Sequence, residues 1–167
     1  MIKTIKIQNF KSIKKIEINC NKGINAFIGK NGTGKSAVFD AINIVLGETY
    51  PTANTFQKDY FNNDEEEVVI EIEFYEPYYS YTNKGYSNTI NTIKKLIFKA
   101  SCKGGKLETS LKKGDNESYN INGEDVRDPH RINYIGSDRT VKSIMPTNSW
   151  SLLGRQFYSA DFFYRWY

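Results

Sequence analysis

The stretch Gly29-Lys30-Asn31-Gly32-Thr33-Gly34-Lys35-Ser36 limits the possible folds of this chain more than any other. It matches the pattern G-x-x-x-x-G-K-S in full, and that pattern has structural meaning only between a strand and a helix. Both neighbours are written in the sequence. Ile24 to Ile28 is a short apolar run suited to a central, doubly covered strand. From Lys35 the period becomes helical: Val38, Ala41, Ile42 and Val45 repeat along one face, and Gly47 supplies a stop.

The chemistry accounts for each fixed residue. A triphosphate carries several negative charges that must be held without one flexible side chain per oxygen. Glycines let the backbone curl so that successive N–H groups point inward as an anion nest. The helix that follows adds unpaired N–H groups and the positive end of its dipole. Lys35 is expected to reach the β- and γ-phosphates, and Ser36 to offer its hydroxyl to Mg²⁺. Asn31, fixed inside the nest, is expected to meet a γ-phosphate oxygen. Gly29, Lys30, Gly32, Thr33, Gly34 and Ala37 complete the predicted cradle, and the predicted ligand is Mg-ATP.

With 167 residues the chain fits one domain, or one lobe of a larger one. It is 39% hydrophobic, 25% charged and 14% aromatic, a soluble globular composition on the polar side. The formal charge of +4 permits contact with a polyanion without demanding it. Cys20 and Cys102 lie far apart, and His130 is the single histidine, so a Cys or His metal site and a Ser-His triad have little support. No apolar run approaches the ~18 residues of a membrane helix, and the first ten residues alternate like a strand. The expectation is a cytoplasmic protein without signal peptide or membrane span.

The rest of the chain reads mostly as strands. Residues 2 to 20 form a predicted hairpin around an Asn9-Phe10-Lys11-Ser12 corner. Residues 48 to 67 are irregular, and Val68, Ile70, Ile72 and Phe74 then alternate with Glu71 and Glu73. Residues 76 to 92, rich in Tyr, Asn, Ser and Gly, read as a long loop. Leu96, Phe98 and Ala100 alternate next, Gly104-Gly105 is a turn, and Leu107 to Leu111 is a returning strand. Short strands follow at Ser118 to Ile121 and Ile132 to Ile135, and an aromatic segment at 150 to 167 is expected to be helical around Leu152 to Phe163. The predicted fold is therefore α/β: a P-loop lobe with an antiparallel β-subdomain. Its parts are a strand-helix core at 1–50, the β-subdomain at 66–126, and a return strand with the aromatic segment at 131–167.

The order of these motifs resembles a known group. Ile5-Lys6-Ile7-Gln8-Asn9-Phe10-Lys11-Ser12, the run Gly23 to Ser36 and Asp40-Ala41-Ile42 are similar to the N-terminus of SMC/RecF-like ABC ATPases. Tyr119-Asn120-Ile121-Asn122-Gly123 looks like that group's "YxING" hairpin. Asp59-Tyr60-Phe61, the strand Val69 to Phe74, Tyr134-Ile135-Gly136-Ser137-Asp138-Arg139 and Trp150-Ser151-Leu152-Leu153-Gly154 resemble segments of OLD-family (overcoming lysogenization defect) ATPases. Ala37 departs from relatives that carry a second small polar residue there. The resemblance implies an ATPase acting as a homodimer or higher oligomer through its heads, coupled to DNA processing in defence against phage. DNA and an effector protein are the further partners considered, and no membrane is. It also implies that Walker B, the signature motif and any Toprim nuclease domain lie beyond Tyr167.

Several single residues carry competing readings. Lys11 sits at the corner that relatives place beside the nucleotide, or is a solvated loop lysine. Glu71 and Asp138 are weak candidates for the catalytic acid, Glu71 on a half-exposed strand and Asp138 just past an apolar one. Arg139 either senses phosphate or pairs with an acid. Lys103, Lys106, Lys112 and Lys113 are either a DNA-facing patch or edge-strand lysines that block aggregation. Two other functions remain open: an SMC/RecF-like repair or chromosome-maintenance ATPase without a nuclease, and a compact P-loop kinase or GTPase.

Overall fold

A computed structural model describes residues 1–47, 49, 51–64, 66–84, 87–114 and 132, with side chains given outside 80–91. The chain divides into two units, Met1–Ile132 and Asn133–Tyr167. The second lies outside the described residues, and so do the expected features at 115–131.

Among the described residues, five antiparallel strands form one sheet in the order β2-β1-β3-β4-β5. They are β1 Ile2–Phe10, β2 Ile13–Asn19, β3 Val68–Lys84, β4 Ser87–Lys103 and β5 Lys106–Lys113. Alternation decides the two faces. Ile5 and Ile7 stand opposite Ile72 and Ile70, which stand opposite Leu96 and Phe98. All six are buried, with Phe74, Ala100 and Leu111. Glu71, Glu73, Lys95 and Lys99 project to the other face and pair across strands as Lys3–Glu73, Lys95–Glu71 and Lys99–Glu67. The Lys3 hydrogen bond holds the Glu73 carboxyl below its usual range.

Helix α1, Lys35–Leu46, covers the apolar face. Its buried residues Val38, Ala41, Ile42 and Val45 are the periodic set expected, and Ala37 and Leu46 join them. Gly47 caps its end by donating to the Asn43 carbonyl at 2.8 Å. Phe56 and Phe61, on either side of the short 3-10 helix Lys58–Tyr60, fill the remaining space against Phe10 and Phe98.

The β1–β2 corner is held from the side. Asn9 takes φ 56° and is 1% exposed, yet its amide donates to the Asn63 and Glu66 carbonyls and accepts from the Asn63 N–H. Lys11 also takes the left-handed conformation, φ 49°, with its N–H on the Tyr60 carbonyl and its own carbonyl accepting from Asn62 Nδ2. The corner and the loop at 60–66 thus form one hydrogen-bonded piece.

Two expectations are corrected. Residues 76–92 are not a loop: β3 and β4 run through them as a long hairpin. Tyr and Thr suit strand pairing, and Pro77, which has no N–H to donate, falls at a register shift between Glu73 and Tyr78. Ile24 to Ile28 is not a strand; Ile24 is 98% exposed and Ile28 95%. A central strand exists only with neighbours to bond it, and among the described residues none lies alongside. β1 bonds β3 directly, so residues of the expected strand-helix core and of the expected β-subdomain share one sheet. The Gly104-Gly105 turn is as expected, with φ 58° and 80°, the two positive values a two-residue hairpin turn requires. No described helix is long and apolar enough to cross a membrane.

Candidate functional site

The loop before α1 owes its shape to two glycines. Gly32 has φ 80° and Gly34 φ 88°, a region that other residues enter only with strain. Space favours the same choice at Gly34, where a Cβ would sit 3.3 Å from Ser12 Oγ and 3.4 Å from Ile13 Cγ1. The corner of the β1–β2 hairpin thus packs directly on the loop. Thr33 Oγ1 closes the turn by donating to the Lys30 carbonyl at 2.8 Å.

Lys35 begins α1, and its ammonium folds back inside the curl. It donates to the Gly29 carbonyl at 2.7 Å and to the Lys30 carbonyl. Gly34 is the N-cap; it contributes no side-chain bond, and the first turn contains no acid. The first helical N–H groups that hydrogen-bond within the helix reach back four residues, beginning with Val38 to Gly34 at 3.1 Å. Those of Lys35, Ser36 and Ala37 are left to other acceptors, at the positive end of the helix dipole. An anion suits that position.

Lys11, Ser12, Asn31, Gly32, Gly34, Lys35, Ser36, Ala37 and Asp40 line one cleft. Of the residues predicted for the cradle, the structure brings Lys11, Asn31, Gly32, Gly34, Lys35, Ser36 and Ala37 to this surface. Gly29, Lys30 and Thr33 do not line it, and hold Lys35 and the turn through hydrogen bonds. Ser36 is exposed and lines the cleft, where the hydroxyl of a P-loop serine can join the shell of a Mg²⁺ that the phosphates also hold. Asp40 and Ser12 complete the lining, though the loop pattern assigns neither a role. The signal for Asp40 is its spacing, four residues after Ser36 on a helix and therefore on the same face. For Ser12 the signal is absent, because its position depends on hairpin-to-loop packing.

Lys11 is the residue that joins these parts. Its ammonium lies 2.6 Å from Asp40 Oδ2 and 4.6 Å from the centre of the Tyr60 ring. Glu71 stands elsewhere: it is on the sheet face opposite α1, bonded to Lys95 at 2.6 Å, and does not line the cleft. The alternation of β3 dictates this, since Ile70 and Ile72 take the face toward the helix. Asp138 and Arg139 lie outside the described residues. The four lysines do not form one patch. Lys103 and Lys106 flank the Gly104-Gly105 turn, while Lys112 and Lys113 lie about 20 Å along β5 and on opposite faces. Burial raises the Cys20 thiol above its ordinary value, in keeping with an inert, partly covered cysteine.

The fold and this loop together define the class: a P-loop lobe of ABC/SMC-like type with an antiparallel β-sheet. A family model described as "AAA domain" matches residues 4–152, and the chain belongs to that family. Among curated proteins it is similar to the OLD nuclease of Thermus scotoductus, 25% identical over 169 residues covering 93% of this chain and 30% of the relative. It is 46% identical over 57 residues to the DNA double-strand break repair Rad50 ATPase of Methanococcus maripaludis, covering 34% of this chain and 6% of that protein. DNA repair protein RecN of Aquifex aeolicus is 28% identical over 129 residues, 76% of this chain and 23% of the relative. The chain thus spans less than a third of these relatives. A solved structure described with the words "ATP-driven dimerization and DNA stimulated activation of SMC ATPases" is 22% identical, with a TM-score of 0.42 over 66% of this chain and 68% of that one. With its Rad50, RecN and OLD relatives, the chain is an SMC/RecF-like ABC ATPase head.

Proposed function

We propose that this chain is the ATP-binding portion of an OLD-like ABC-class ATPase that couples ATP binding and hydrolysis to DNA processing, in defence against phage. The observation that carries the reading is the cleft at the start of α1. It combines two left-handed glycines, an uncapped helix N-terminus without acids, and the Lys35 ammonium folded over the loop. Lys35, Asn31 and the N–H groups of residues 34–37 would hold the phosphates, with Ser36 contributing to Mg²⁺. Mg²⁺ would neutralise charge between the β- and γ-oxygens when bound. The OLD assignment is supported by a similarity that extends over 93% of the chain rather than the loop alone. Dimerisation through paired heads, a downstream nuclease and a cytoplasmic location belong to the same proposal.

A second reading is favoured by the local identities. The 46% match to a Rad50 ATPase supports a repair or chromosome-maintenance ATPase without a nuclease. A Toprim domain in the full-length gene would favour the first reading, and a long coiled coil the second.

Lys35→Ala tests the shared core of both. ATP titrated calorimetrically into the wild-type chain should bind with Mg²⁺ present, and the variant should lose high-affinity binding. Unchanged affinity would overturn the nucleotide site. Ser36→Ala should chiefly reduce the gain in affinity that Mg²⁺ confers; wild-type affinity that ignores Mg²⁺ would remove Ser36 from the metal's surroundings.

A further inference from the structure

We propose that Asp40 is a positioning residue: it holds the Lys11 ammonium at the mouth of the cleft so that one lysine serves the helix and the phosphates together. This rests on the nucleotide reading above and adds a residue to it. Asp40 lines the same surface as Asn31, Lys35 and Ser36. A carboxylate there would repel a bound polyphosphate, which makes its position a cost unless a cation offsets it. The Lys11 ammonium is that cation, at 2.6 Å. An ammonium has three N–H donors. One can remain on Asp40 while the others turn to a phosphate oxygen.

The surroundings restrict where Lys11 can go. Its backbone is fixed at φ 49° by the Tyr60 carbonyl and the Asn62 amide, so the side chain starts from a set point. The Tyr60 ring lies under the ammonium at 4.6 Å, and the Phe10 ring at 5.7 Å. Asp40 then selects, among the rotamers left, the one beside Ser36 and the loop. The side chains of Lys11 and Asp40 are 31% and 28% exposed, half-covered and within reach of a ligand. Because Lys11 is bonded to residues 60 and 62, phosphate that engages its ammonium also loads that loop.

The test uses the sign of an effect. Simple electrostatics says that Asp40→Asn, which removes a negative charge beside a polyanion site, should tighten ATP binding. Positioning says the opposite. In the full chain with Mg²⁺, Asp40→Asn should weaken ATP affinity several-fold, about 3- to 10-fold, the range of a charge-assisted hydrogen bond lost from a half-exposed site. In a Lys11→Met background the same change should leave affinity unaltered or improve it, since the ammonium that Asp40 positions is gone. Lys11→Arg should keep both the affinity and its sensitivity to Asp40→Asn. Tightening by Asp40→Asn in the wild-type background, or an equal effect in both backgrounds, overturns the proposal. Melting curves without ATP identify any variant that merely fails to fold, and the Lys11→Arg pair then supplies the comparison. Loss of binding in Lys35→Ala, measured alongside, separates failure of this inference from failure of the nucleotide site itself.

Discussion

Asn9 carries two burdens at one position: a left-handed backbone and three side-chain hydrogen bonds to the loop at 63–66. Asparagine is one of the few residues that enters that conformation readily, and its amide satisfies two carbonyls and one N–H in a site where water is excluded. Asn9→Ala would lose both advantages. It should lower stability by about 2–3 kcal/mol in urea denaturation, the sum of unpaired buried groups and backbone strain. A loss below about 0.5 kcal/mol, typical of a surface change, would mean the loop reorganises freely without it. Gly34 differs in consequence. Gly34→Ala meets both a positive φ, which strains the loop backbone, and the Ser12 hydroxyl at 3.3 Å, which must give by a few tenths of an ångström. Its effect should fall on the ligand: an ATP affinity lowered about tenfold or more, equal to roughly 1.4 kcal/mol, as nest N–H groups lose their aim. Titration of this variant at wild-type affinity would show that the loop's shape is not needed.

At the scale of elements, two apolar segments differ in what they do. Phe98 in β4 is fully buried, its ring tilted against Phe56 with centroids 5.3 Å apart, and it is paired with Ile70 and Leu111. Phe98→Ala should cost about 3–5 kcal/mol, the usual range for an aromatic removed from a core. Ile28, in the run that reads from sequence as a central strand, is 95% exposed. Ile28→Asn should change the stability of this chain by less than about 0.5 kcal/mol, as surface substitutions do. Denaturation midpoints for the two variants check the contrast, and a large loss for Ile28→Asn would restore the strand. The contrast marks where the sequence was legible. The β1–β2 hairpin, α1 and β5 declare themselves through period and turn residues, because each finds its partner within a few tens of residues. The segment 24–28 carries a strand's composition, but strandedness belongs to a pair. The β3–β4 ribbon was hidden for the opposite reason: its polar residues resemble a loop, and only cross-strand bonding makes them a hairpin. In the cleft, the loop residues were legible from their pattern, whereas the Lys11–Asp40 pair joins positions 29 residues apart and is created by packing.

For the whole molecule the question is whether binding and turnover separate. Phosphoryl transfer is accelerated almost wholly by positioning and charge stabilisation, and one missing charge-stabilising group can cost ~10³-fold. Ground-state binding asks less: a nest, a lysine and Mg²⁺. Among the described residues, Asp40 is the carboxylate lining the cleft, and its oxygen is engaged by Lys11 at 2.6 Å. Glu71 is on the far face of the sheet, bonded to Lys95. Glu71 thus lies away from the cleft, and the Asp40 carboxylate is committed to Lys11. The 167-residue chain should therefore bind ATP yet hydrolyse it negligibly. Steady-state phosphate release by the purified chain is the measurement, with Lys35→Ala as the control for contaminating ATPases. Robust turnover that disappears in Lys35→Ala would overturn the expectation and make Asp138 the first residue to mutate. If Asp138→Asn then abolished release while leaving ATP affinity intact, the catalytic acid would lie within this chain, and a compact P-loop enzyme would explain the activity better than a head that needs further domains.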